Sequence, residues 1–157
     1  MQTFRDPIER ALLLGADREA FVDGNRRITF GEFDERLQRL HALLRRLGLG
    51  TGDRVAIIAF NSLPFAELYC GVPMAGMVQV PLNFRWADPE LAYALQDSGA
   101  RVLFCDRDPG ELAALVGHVI RIDTGEYDEL LADCDPAPFA ADQTSEDDLA
   151  GLFYTGG

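Results

Sequence analysis

Residues 55–60 read Val-Ala-Ile-Ile-Ala-Phe, an apolar run with no polar interruption. A strand that is wet on one face alternates polar and apolar residues. An unbroken run is buried on both faces and needs a layer above and a layer below. The chain supplies those layers in alternation. Residues 62–75 carry Leu63, Phe65, Leu68, Tyr69 and Val72, a helical pattern that is apolar on most sides. Val78, Val80 and Leu82 alternate as a second strand. Asp88-Pro89-Glu90 opens a helix reaching about Asp97, with Asp88 as cap, Pro89 at the first helical position and Glu90 on the dipole. Val102–Cys105 forms a third strand, 111–117 a short helix and Val119–Ile122 a fourth strand. Strand–helix–strand alternation with short links predicts an α/β fold: a mainly parallel sheet with helices on both faces and right-handed crossovers.

The first fifty residues add two features. Residues 7–15 read as a short helix, from Pro7 to Gly15. Ala20-Phe21-Val22 and Arg27-Ile28-Thr29 flank Asp23-Gly24-Asn25, the signature of a small β-hairpin. Thr29 and Glu32 then form a capping box for a helix with Phe33, Leu37, Leu40, Leu44 and Leu47 along one stripe. Gly48 stops that helix. Past Asp123 the pattern weakens. Residues 133–148, with Pro136 and Pro138, read as a surface loop, and Leu149 to Tyr154 as a final strand leading into Thr155-Gly156-Gly157. The whole chain, 1–157, reads as a single domain with no internal repeat.

Charge excludes several functions. Fourteen basic residues face 26 acidic ones, a formal net charge of −12, which disfavours nucleic acid and anionic membranes as partners. All the basic residues are arginine. Without lysine there is no Schiff base and no phosphate-loop ammonium. No stretch approaches the ~20 apolar residues of a membrane span. The amino terminus lacks a signal-peptide pattern, and Cys70, Cys105 and Cys134 are sparse and odd in number. A reduced, cytoplasmic setting is expected.

Candidate site residues are few. Gly48-Leu49-Gly50-Thr51-Gly52 follows a helix and precedes a strand, the reverse of a dinucleotide fingerprint, so it reads as a helix end and turn. His41 and His118 lie far apart in sequence and read as structural, and Asp133-Cys134-Asp135 has no companion motif, so no metal site is expected. Arg85 directly follows a strand, where open α/β sheets bind ligands. It suits an anion such as phosphate, or else pairs with Asp88 or solvent. A strand running into Thr155-Gly156-Gly157 resembles the start of a phosphate loop, in which backbone N–H groups and a hydroxyl cradle anionic oxygens. A strand that leads into such a turn has no physical reason to stop there, so truncation inside the loop is expected.

Taken in order, these motifs resemble the N-terminal part of the adenylate-forming enzymes, the superfamily of acyl-CoA synthetases, peptide-synthetase adenylation domains and luciferases. Ile28-Thr29-Phe30-Gly31-Glu32-Phe33 resembles its "LTYxEL" block. Gly52-Asp53-Arg54-Val55-Ala56-Ile57, followed by Asn61-Ser62, resembles "GDRVAI". Ala75-Gly76 through Val80-Pro81-Leu82-Asn83 resembles "KAGxxxVPLN", with Met74 where lysine is common. Asp97-Ser98-Gly99-Ala100-Arg101 resembles the "DSGAR" turn. Leu152-Phe153-Tyr154-Thr155-Gly156-Gly157 resembles the start of "YTSGTTGxPKG", with Gly156 where serine is commonest.

The resemblance implies the N-terminal subdomain of that fold and a two-step reaction. A carboxylate, preferably a fatty acid, attacks the α-phosphate of ATP with magnesium; coenzyme A sulfur then displaces AMP. It implies ATP phosphate contacts from Thr155, Gly156 and Gly157. It places Asn83 and Arg85 near the coenzyme A entrance, Arg85 against the 3′-phosphate. The lysine, the ribose-binding acid and the mobile C-terminal domain of the family have no counterpart here. No catalytic residue is therefore expected in this chain, which should be inactive alone and prone to self-association through faces left uncovered. Two alternatives stay open: a non-catalytic partner module of the same fold, or part of a peptide-synthetase adenylation domain.

Overall fold

A computed structural model describes residues 3–140 and 143–155 of the chain. Its centre is a four-stranded parallel sheet in the order β4-β3-β5-β6. The strands are β3 (Arg54–Ile58), β4 (Val78–Pro81), β5 (Val102–Cys105) and β6 (His118–Arg121). The apolar run at 55–60 thus occupies a central strand, pairing Ala56 with Val80 on one side and Leu103 on the other. A separate antiparallel hairpin joins β1 (Glu19–Asp23) to β2 (Arg26–Thr29) through Gly24 and Asn25. Gly24 takes φ 59°, which the tight turn requires and which costs glycine no Cβ clash.

Helices cover both faces. On the first lie α2 (Phe30–Arg46), α3 (Leu63–Met74) and α5 (Glu126–Ala132). Phe33, Leu37, Leu40 and Leu44 of α2 are buried with Leu68 and Val72 of α3, Ile57 and Phe104 of the sheet, and Leu131 of α5. Helix α1 (Arg5–Gly15) adds Ile8 to the same core. Gly71 lets α3 approach α2 closely: a Cβ there would come within 2.8 Å of the Leu40 side chain. On the opposite face lie α4 (Asp88–Ser98) and a 3-10 turn at Gly110–Leu115, packing Leu91, Leu95 and Leu112 on Ala56, Ile58, Val80 and Leu103. The Thr29–Glu32 capping box is complete: Glu32 N–H donates to Thr29 Oγ1 at 3.2 Å and Thr29 N–H to Glu32 Oε2 at 2.7 Å.

Four local expectations are corrected. Ala87, not Asp88, caps α4; Glu90 reaches back to accept from Ala87 N–H at 2.9 Å, and Asp88 and Pro89 are its first helical residues. The helix expected at 111–117 is a 3-10 turn. Helix α5 was not expected. Among the described residues the run at Leu149 to Tyr154 pairs only through Gly151, bridged in parallel to Gln79 at the β4 edge. Residues 133–140 and 143–148 form neither helix nor strand, yet Cys134 and Phe139 are buried. Phe139 stacks on the His41 ring with centres 4.9 Å apart, and the Arg5 guanidinium carbon lies 5.6 Å from the Phe139 ring centre.

Candidate functional site

The two ends of the sheet differ in kind. At the amino ends of the strands, Gly52-Asp53-Arg54 meets Ser98-Gly99-Ala100-Arg101. Arg54 donates to Ser98 O at 2.7 Å, and Arg101 pairs with Asp53 at 2.6 Å. Gly50 N–H also donates to Asp53; burial, the largest single effect, pushes the Asp53 carboxyl up, but the Gly50 and Arg101 contacts together outweigh it and hold the group below its ordinary range. Two of the sequence blocks are therefore one structural staple.

At the carboxyl ends the chain is more open. Phe60, after β3, packs on Phe84, after β4, with ring centres 3.9 Å apart. Phe60 N–H donates to Asp106 beyond β5 at 2.7 Å. The loop after β4 is shaped by Asn83: its Oδ1 accepts from Arg85 N–H at 3.0 Å, and its carbonyl accepts from Trp86 N–H at 3.0 Å. The Asn83 side chain is thus occupied with its own turn, an arrangement that fixes the backbone at Arg85. Arg85 is exposed, its guanidinium 5.3 Å from the Phe84 ring centre. Asp88 pairs instead with Arg107.

The segment carrying Thr155 joins this end from the β4 edge. Gln79 N–H donates to Ala150 O at 3.0 Å, and Leu152 N–H donates back to Gln79 O at 2.9 Å. Tyr154 donates its hydroxyl proton to Asp97 Oδ2 at 2.7 Å. Burial and the adjoining Asp97 carboxylate push the Tyr154 phenol up to about 12. Tyr154 and Thr155 line one open cavity of about 350 Å³ with Trp86, Pro89, Glu90, Tyr93 and Ala94. The β4 loop and the Thr155 segment, found separately in the sequence, thus share a cavity wall through Trp86 and Thr155; Asn83 and Arg85 stand outside that lining. Gly156 and Gly157 lie outside the described residues. Tyr93 had no motif to mark it, and Phe60 and Asp97 stood out only as members of the 55–60 run and the Asp97–Arg101 turn; only the folded sheet brings them to this end and edge.

The most deeply buried charges lie elsewhere. Glu67 of α3 is fully buried and takes both ends of the Arg36 guanidinium, Nη2 at 3.1 Å from Oε2. Burial pushes the Glu67 carboxyl up against the pull of Arg36. Asp128 of α5 accepts from Arg36 at 2.7 Å and from Arg26. Among the described residues no group of three His, Cys, Asp or Glu side chains can hold a metal ion, and no helix is long and apolar enough to cross a membrane. The three cysteines are free.

Comparison with known proteins agrees with this architecture. The feruloyl-CoA synthase of Amycolatopsis sp is 37% identical over 96% of this chain and 30% of its own length. A long-chain-fatty-acid–CoA ligase of Mycobacterium tuberculosis, FadD13, is 39% identical over 49% of this chain and 15% of that protein. The solved N-terminal domain of FACL13 from Mycobacterium tuberculosis superposes with a TM-score of 0.88 at 26% identity, covering 99% of this chain and 42% of that one. The chain spans 30% of the length of the feruloyl-CoA synthase and 29% of a 3-hydroxybenzoate–CoA ligase of Aromatoleum sp. that it matches over 90% of its own length. A model of the family described as AMP-binding enzyme matches residues 8–157, and with the parallel sheet, the hairpin and the staple in place the chain belongs to that family of adenylate-forming enzymes.

Proposed function

We propose that residues 1–157 are the N-terminal part of an ATP-dependent carboxylate–CoA ligase, and that this part binds and orients but does not catalyse. The observation that carries the reading is the meeting of the Thr155 segment with the β4 loop around one cavity, in a chain of this family. Thr155 is exposed and offers a hydroxyl to a phosphate oxygen, with Gly156 and Gly157 next in sequence. Arg85, exposed on the loop whose backbone the Asn83 turn fixes, offers a planar guanidinium to the 3′-phosphate of coenzyme A. The chain holds no lysine to offset the charge that develops on a transferring phosphoryl group. Its described residues also gather no group of three or more His, Cys, Asp or Glu that could hold a metal ion. Activation of the carboxylate therefore falls to groups other than those described here. Three free cysteines support a reduced, cytoplasmic setting.

The acyl substrate has two readings. The resemblance favours a fatty acid, and FadD13 carries that name. The feruloyl-CoA synthase matches almost the whole chain and favours an aromatic acid. One assay separates them: carboxylate-dependent ATP–pyrophosphate exchange, then coenzyme A thioester formation, by the product of the complete reading frame. Long-chain fatty acid and ferulate form its two arms. Residues 1–157 alone should give neither reaction, and millimolar ATP with magnesium should leave their melting temperature unmoved. Exchange without thioester formation would favour a peptide-synthetase adenylation domain. Absence of exchange in both arms would sink the ligase reading.

A further inference from the structure

The segment that ends in Thr155 is held at two points of different character. The first is backbone: Gln79 bonds both Ala150 and Leu152. Gly151 between them has no room for a Cβ, which would sit 2.8 Å from the Phe153 ring and 3.0 Å from Gln79 Cγ. The second is the Tyr154–Asp97 hydrogen bond at 2.7 Å. Leu152 and Tyr154 pack inward on the α4 face, while Phe153 and Thr155 are exposed. The alternation is that of a strand, but no ladder extends past Gly151 among the described residues. Past that bridge, the Tyr154 hydroxyl is the polar tie that stands in for the missing ladder.

Asp97 is oddly placed for any other purpose. It lies in the last turn of α4, where a negative charge opposes the helix dipole, and no basic residue offsets it there. Gly99, at φ 63°, already ends the helix. Two other members of its block serve the staple, Ser98 through its carbonyl, which accepts from Arg54, and Arg101, which pairs with Asp53; the Ser98 side chain also reaches the Tyr154 hydroxyl. Asp97 turns the other way, to the phenol. The phenol keeps its proton throughout the physiological range, since it titrates at about 12.

We infer that Asp97 and Tyr154 are positioning residues: their hydrogen bond fixes the Thr155 segment against α4, so that the Thr155 hydroxyl and amide are presented to a phosphate group. This rests on the reading of Thr155 as a phosphate contact. Hydrogen–deuterium exchange of the 157-residue chain tests the hold itself. Tyr154→Phe and Asp97→Ala should speed exchange of the Leu152 amide, which donates to Gln79 O, by roughly fivefold, the loss of one net hydrogen bond, with exchange in β3 and β5 unchanged. Asp97→Asn keeps an oxygen acceptor and should stay close to the unaltered chain. Equal exchange in all variants, or an Asn variant as fast as the Ala variant, overturns the latch. In the complete reading-frame product, Tyr154→Phe should raise KM for ATP several-fold and leave KM for the carboxylate unchanged. An active Tyr154→Phe protein with unaltered KM for ATP removes the latch alone. A wild-type protein with no pyrophosphate exchange removes the ligase reading and the phosphate role with it.

Discussion

Two buried polar side chains set the behaviour of single residues. Gln79 is fully buried, and neither Nε2 nor Oε1 of its amide has a hydrogen-bond partner among the described residues. Its backbone, not its side chain, holds the Gly151 bridge. Gln79→Leu should therefore stabilise the chain by about 1 kcal/mol, since a desolvated amide without partners is a net loss. Urea unfolding should show a higher midpoint with an unchanged slope. His41 is the second case. Its Nδ1 lies 3.1 Å from Ala137 O, and its Nε2 lies 3.1 Å from Gln143 Nε2. A neutral ring satisfies both, donating through Nδ1 and accepting at Nε2; a protonated ring faces the amide nitrogen with a second donor. Burial, which outweighs the Ala137 contact, holds the imidazole below its ordinary 6.5. As pH falls through 6.5 the unfolded chain takes up the proton first, so this contribution to stability is complete above that pH and declines below it. Comparing urea midpoints at about pH 7.5 and about pH 5.5, His41→Gln should show a smaller drop than the unaltered chain.

Among the elements, α2 is the hub that secures α3 and α5 through charge as well as apolar packing. Arg36 projects from α2 to Glu67 of α3 and Asp128 of α5. Removing the carboxylate leaves a guanidinium largely enclosed without its main partner, so Glu67→Ala should cost about 3 kcal/mol in urea unfolding. Asp128→Ala should instead loosen α5 locally, read as faster hydrogen exchange at 126–132 with β3 and β5 protected as before. The strands were legible because an apolar run or strict alternation needs no partner to be recognised. Helix α2 was legible from its box and stripe, although Leu43 also joins the core. Helix α5 was not, because Glu126, Asp128 and Glu129 dominate its seven residues and only Tyr127 and Leu131 face inward. The last strand was overread for the converse reason: apolar alternation at 149–154 is present, but a ladder needs a partner with matching length, and β4 offers it Gln79 alone. Thr155 and Arg85 were singled out by position and resemblance; Thr155 lies on the cavity wall and Arg85 outside it. Asp97 was quoted only as part of a turn, since its contact with Tyr154 spans residues far apart in sequence.

For the molecule as a whole, the edge around α4 is the face that invites association. Tyr93 is 64% exposed and Phe153 61%, beside Trp86 and Tyr154 on the wall of the same cavity or next to it. Apolar surface concentrated in this way favours contact between copies. Light scattering of the 157-residue chain should show a mean size that grows with concentration, and the double change Tyr93→Ser, Phe153→Ser should flatten that growth; a size constant over the range would count against it. The bridge from Gln79 to Gly151 has a further consequence, in time rather than in space. During synthesis β4 leaves the ribosome well before the residues that cover its outer edge, which follow about seventy positions later. Until then its free N–H and C=O groups are a template for any passing strand. The nascent chain is thus most vulnerable to mispairing over that interval, and slowing elongation between codons 82 and 150 should lower the yield of folded protein more than slowing it anywhere before codon 54.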